Sequence, residues 1–78
     1  MRREKYNSNI KESIKKLELD KSIEGILVEN GITKVEDIWS LNRKKLKSMG
    51  LKDLDINTII VKLQLLGLDL NKKVYSID

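Results

Sequence analysis

Met49-Gly50-Leu51-Lys52-Asp53-Leu54-Asp55-Ile56, MGLKDLDI, joins two segments of opposite character. Before it runs Arg43-Lys44-Lys45-Leu46-Lys47, the densest basic cluster of the chain. After it come Ile56, Ile59, Ile60, Leu63 and Leu66, spaced by three and four as on one face of a helix. A glycine directly after a helical pattern, followed by a leucine and two aspartates, predicts a tight bend into a second helix. The reading of the chain turns on this bend. If both flanks are helices, the protein is a set of short helices joined by glycine and asparagine turns.

Working towards the N-terminus, the same grammar repeats. Asn42 is placed to cap a short helix from Arg43 to Met49, with Leu46 and Met49 inward. Thr33 precedes another, with Val35 and Ile38 inward and Asp37 in its first turn. Asp20 opens a longer helix with Ile23, Ile26 and Leu27 as its apolar stripe, closed by Asn30-Gly31. Gly25, inside that helix, costs up to ~1 kcal/mol relative to alanine and is expected to mark a close packing contact. Ile10, Ile14 and Leu17 suit either a helix from Ser8 or an arm docked by Ile14 and Leu17. Towards the C-terminus, a last helix is expected from Asp55 to Leu66. Gly67 ends it, and Leu68 and Leu70 fold back on the core. The expected architecture is all-α, a compact bundle of four to five short helices. A basic arm or helix covers 1–13, the helical domain 14–70 and a flexible tail 71–78.

The 78 residues are one domain, small enough to need an economical core. There is no cysteine and no histidine, which removes disulfides, thiolate metal sites and the commonest general base. No run approaches the ~20 apolar residues of a membrane span, and no signal segment opens the chain; a cytoplasmic protein is expected. No cofactor is expected either. No phosphate-binding glycine loop or nucleophile elbow is present, and an enzyme is not expected. Asp53 and Asp55, two apart in a turn, read as helix caps rather than as a cation site.

The net charge of +4 is unevenly placed. Residues 1–16 hold six basic and two acidic groups; residues 17–37 hold two and six; residues 38–52 hold five and none. Read as structure, these are solvated helix faces. Read as function, Arg43, Lys44, Lys45, Lys47 and Lys52, with Lys15 and Lys16, form a surface for phosphates or an acidic partner. The placement of cations at a helix start opposes the helix dipole, which an anionic partner would offset. Trp39 is either an edge filler beside Ile38 or an exposed anchor for a partner. Tyr6 and Tyr75 lie in the tails and build no stacking platform.

From Leu17 to Leu70 the chain resembles the carboxy-terminal domain of the bacterial RNA polymerase alpha subunit. LELDKSIEGILVENGI is similar to that family's opening and first helix. TKVEDIWSLNRKKLKSM continues without a gap, and after one deleted residue LKDLDINTIIVKLQLLGLDL is similar to its last helix and Leu-Gly-Leu-x-Leu finish. The resemblance implies a transcription-associated module contacting DNA, RNA polymerase or its regulators. It also shows departures. Ser22 stands where the family has a minor-groove arginine, and Gly25 where it has an asparagine. Lys52 takes the hairpin glycine position, with Gly50 displaced by two, and Leu54 and Asp55 replace a lysine and a serine. The acidic pair before Leu-Glu-Leu is Lys15-Lys16, although Glu18 remains. These losses make MGLKDLDI a structural bend rather than a copy of the family's DNA clamp.

ENGITKVEDIWSLNRKKLKSMGL is also similar to the middle of the sterile-alpha-motif domain, a protein-interaction module. That resemblance implies head-to-tail self-association, with Glu24, Glu29, Glu36 and Asp37 of one copy meeting Arg43 to Lys52 of the next. A third reading keeps the fold and leaves the partner unrelated.

Overall fold

The structure, a computed structural model, describes residues 8–74. Two 3-10 turns, Ser8–Lys11 and Ile14–Leu17, precede four α-helices. These are α1 (Lys21–Glu29), α2 (Val35–Trp39), α3 (Arg43–Ser48) and α4 (Asp53–Leu65). A two-stranded antiparallel hairpin closes the described chain, β1 (Leu68–Asp69) with β2 (Lys73–Val74). The protein is therefore a small, mostly helical domain with one addition, the hairpin, that an all-α reading does not contain.

The core is aliphatic. Ile14, Leu17, Ile23, Leu27, Ile32, Val35, Ile38, Leu46, Leu51, Ile56, Ile59, Leu63, Leu68 and Leu70 are all buried. No polar or charged residue is buried among the described residues, so the interior carries no desolvation cost for polar side chains. α4 is the central element: it packs against α3, against β1 and against the 14–17 turn. Its Ile56, Ile59 and Leu63 are fully buried, at the three- and four-residue spacing of a helix face. Leu68 and Leu70 fold back on this core as expected.

The first segment is not one helix from Ser8. Ile14 N–H donates to the Thr33 carbonyl at 3.0 Å, and Val35 N–H to the Glu12 carbonyl at 2.9 Å. Ser13 and Lys34 thus form an antiparallel bridge. A continuous helix would have to give up those bonds. Ser13 is extended instead, and its Oγ accepts Lys15 N–H at 3.2 Å to start the second turn. Glu18, at φ 53°, ends it. Ile14 and Leu17, three apart, both point into the core, which is the docked-arm alternative. Arg2, Arg3, Lys5 and Tyr6, assigned to the basic arm, lie outside the described residues, as does Tyr75.

Several local expectations change. Asp20 sits at the N-cap of α1, but its carboxylate makes no capping hydrogen bond. At α2 the cap is Lys34, one residue later than Thr33, and Asp37 Oδ2 accepts both Thr33 N–H (3.2 Å) and Lys34 N–H (3.1 Å). α4 begins at Asp53 rather than Asp55, because Asp55 serves as the returning carboxylate on Lys52 N–H at 3.2 Å. Gly25 marks no close contact: it is exposed, and a Cβ there would meet nothing within 4 Å. Gly31 does supply the left-handed conformation after Asn30, at φ 82°.

Residues 71–74, expected to begin a loose tail, are hydrogen-bonded to the domain. Asn71 N–H donates to the Leu41 carbonyl at 2.9 Å and Lys72 N–H to the Trp39 carbonyl at 2.7 Å. Asn71 and Lys72 both take left-handed backbone (φ 65° and 59°), which reverses the chain between β1 and β2. Trp39 is half-buried and belongs to this contact.

Candidate functional site

α3 has six residues, and only Leu46 is buried. Asn42 fixes its start, with Oδ1 accepting Lys45 N–H at 2.7 Å. Ser48 Oγ donates to the Lys45 carbonyl at 2.6 Å near its end. A helix of less than two turns with one inward leucine must turn the rest outward. Arg43, Lys44, Lys45 and Lys47 are accordingly all exposed, and so is Lys52 in the following turn.

The five cations are not equivalent. Arg43 Nη2 donates to Asn57 Oδ1 on α4 at 3.0 Å. Lys47 Nζ lies 3.2 Å from Asp53 Oδ1, also on α4. These two stitch α3 to α4 and are half occupied by the domain itself. Lys44, Lys45 and Lys52 have no side-chain hydrogen bond or ion pair among the described residues. Lys16 is likewise exposed, whereas Lys15 Nζ pairs with Glu24 Oε2 at 3.1 Å.

The turn of MGLKDLDI has the geometry of a cap. Met49 N–H donates to the Leu46 carbonyl and Gly50 N–H to the Lys47 carbonyl. Gly50 takes φ 100°, where a side chain is strained. Leu51 is buried and pins the bend to the core. Asp53 and Asp55 sit in the first turn of α4, where the helix dipole favours negative charge. An anion approaching these amides would meet two carboxylates already in place. The backbone of this turn is thus engaged in closing α3 and, through Lys52 N–H on Asp55, capping α4, and the lysine side chains around it carry the positive field.

Of the positions that the polymerase resemblance would give to DNA contact, Lys52 is exposed in the turn between α3 and α4 and belongs to the basic edge, whereas the other four are not cations. Ser22 and Gly25 are exposed on α1, next to the Lys15–Glu24 pair. Leu54 is 77% exposed on α4, and Asp55 is a cap. Sequence reasoning missed Asn57 and the ion-pairing role of Asp53. Both act across the bend between two helices, where no periodicity signals a partner. It named Leu54 only as a replaced family position and did not anticipate that Leu54, Val61 and Leu65 remain exposed together on α4 opposite the buried stripe.

On the acidic side, Glu24 is engaged by Lys15, and Asp37 caps α2. Glu36 and Asp37 line a shallow depression of about 240 Å³ with Trp39, Ser40 and Lys72. Among the described residues no three acidic, histidine or cysteine side chains gather as a metal site, and no helix is long and apolar enough to cross a membrane. Compared with known proteins, no family model and no curated sequence matches this chain.

Proposed function

We propose that this chain is a non-enzymatic, transcription-associated binding module, similar in helical plan to the RNA polymerase alpha carboxy-terminal domain, that holds duplex DNA by its phosphate backbone. The observation that carries this reading is the outward face of α3 and its turn. Five cations occur between residues 38 and 52 with no acid among them, and Lys44, Lys45 and Lys52 are free to contact phosphate. Contacts of lysine with phosphate position a protein on DNA and carry no sequence information. Binding through this edge is therefore weak, non-specific and steeply salt-dependent. With about four phosphates neutralised, the affinity falls about 100-fold between 50 and 200 mM salt.

The sterile-alpha-motif-like alternative, head-to-tail association of acidic and basic faces, has less to work with. Glu24 and Asp37 are already engaged within the domain, leaving Glu29 and Glu36. The test is an amide NMR titration with a short A·T-rich duplex at low and moderate salt. Shifts at residues 43–55 that fade with salt, and that are lost in Lys44→Glu/Lys45→Glu, support the reading. Unchanged affinity in the double variant overturns it. Low-salt association that involves residues 24–37 as well as 43–52 would favour the head-to-tail alternative.

A further inference from the structure

α4 is amphipathic twice over. Its inner stripe builds the core. Its outer side carries Leu54, Val61 and Leu65, exposed by 77%, 53% and 74%. With Thr58 between them, these residues step by four, three and four, the spacing that keeps a seam on one side of a helix. Leu54, Asn57, Thr58 and Val61 also stand at i, i+3, i+4 and i+7, the four corners of a hole that receives a side chain from a facing helix. A depression of about 240 Å³ lies over these four residues and Lys62, with an almost wholly apolar lining. Thr58 Oγ1 donates to the Leu54 carbonyl at 3.0 Å, so its hydroxyl asks for no outside partner.

The seam is complementary to itself when reversed. We propose that a second copy of this chain packs on it, α4 against α4, antiparallel about a two-fold axis between Thr58 and Val61. In that arrangement Leu54 of each copy faces Leu65 of the other, and Thr58 faces Val61. The large apolar side chains close both ends, and the smaller ones meet where the helices cross. Lys62 and Asp55 lie on the same flank of the seam, so Lys62 of each copy comes beside Asp55 of the other. α4 carries its acids in the first turn and Lys62 in the last, so the antiparallel arrangement brings opposite charges together. A parallel one would stack Asp53 and Asp55 on their counterparts. The two-fold also leaves both α3 edges on the same side of the pair, so DNA binding is neither required nor blocked by it.

A helix of 13 residues is about 20 Å long. One such helix pair buries less than the ~1,200 Å² of stable interfaces. The dimer is therefore a weak one, formed at high micromolar concentration and above. It is read by sedimentation equilibrium of the full chain in moderate salt. The expected result is a monomer–dimer equilibrium that stops at two, with the dissociation constant raised at least about tenfold by Leu65→Glu, which puts a carboxylate into the apolar contact with Leu54 at both ends of the seam. Leu65 is exposed in the monomer, so circular dichroism of the variant stays unchanged. Because the chain has no cysteine, single Thr58→Cys and Val61→Cys chains can be mixed under oxidation. Antiparallel packing gives mainly the 58–61 cross-link between unlike chains. A chain that stays monomeric at millimolar concentration, open-ended oligomers, a dimer indifferent to Leu65→Glu, or cross-links mainly between like chains would each overturn the proposal.

Discussion

The indole N–H of Trp39 donates to the carbonyl of Lys73 at 2.8 Å, across 34 residues of sequence. The bond ties the end of α2 to the closing hairpin. Two backbone bonds, Lys72 to Trp39 and Asn71 to Leu41, flank it. The three together hold the segment after Leu70 in place. They also account for a half-buried position of the protein's single tryptophan: its ring packs on the core edge and its polar atom finds a partner.

Replacing Trp39 by phenylalanine keeps most of the ring contact and removes the donor. The expected cost is about 1 kcal/mol, read by urea denaturation. Amide exchange at Lys73 and Val74 should accelerate more than at Ile59. Equal acceleration at both places would show that the bond has no local role.

The glycine within α1 and the one that follows it separate by backbone conformation. Gly25 is exposed, with free space at its Cβ position. Gly25→Ala is expected to raise stability by up to ~1 kcal/mol. Gly31, at φ 82°, is expected to respond in the opposite direction by about 1 kcal/mol, since alanine is strained there. Thermal unfolding of the two variants checks the sign of each.

Asn42→Ala removes the acceptor from Lys45 N–H, a 2.7 Å bond. A loss of about 1 kcal/mol is expected, and it should appear as fraying of α3 in amide exchange. Because α3 presents the basic edge, the same variant should also weaken DNA binding if that edge is the site. Unchanged exchange in Arg43–Ser48 would count against the capping role.

Asp53→Asn leaves Lys47 without its acid. The pair is exposed on both sides and Asp53 also sits at the favourable end of the α4 dipole, so a loss of no more than about 1 kcal/mol is expected. Removing a carboxylate from the edge of the basic surface should strengthen DNA binding at low salt, by a margin that vanishes as salt rises. Weaker binding in this variant would mean that the edge needs Lys47 held in place rather than released.

The sequence alone determined the four α-helical segments, the inward residues Ile23 and Leu27 of α1, Leu46 of α3 and Ile56, Ile59 and Leu63 of α4, the asparagine cap at Asn42, the glycine closure at Gly31, and the return of Leu68 and Leu70 to the core, while Ile26, Met49, Ile60 and Leu66, also expected inward, are only partly buried. Each is a local matter of spacing and backbone preference, written within a few residues. The concentration of cations in 38–52 is equally legible, and a short helix with one inward leucine makes their exposure follow. Only the tertiary structure decided the rest. Between a first helix and a docked arm, the arm was selected because residues 33–35 claim the backbone of residues 12–14. The hairpin exists because Trp39 and Leu41 offer carbonyls to Asn71 and Lys72. Arg43 is hydrogen-bonded and Lys47 ion-paired because α4 brings Asn57 and Asp53 beside them. Leu54, Val61 and Leu65 are apolar in sequence like their neighbours, and burial of the opposite side of α4 is what leaves them outside. Partners distant in sequence leave no period to read, so their pairing is settled only when the helices pack.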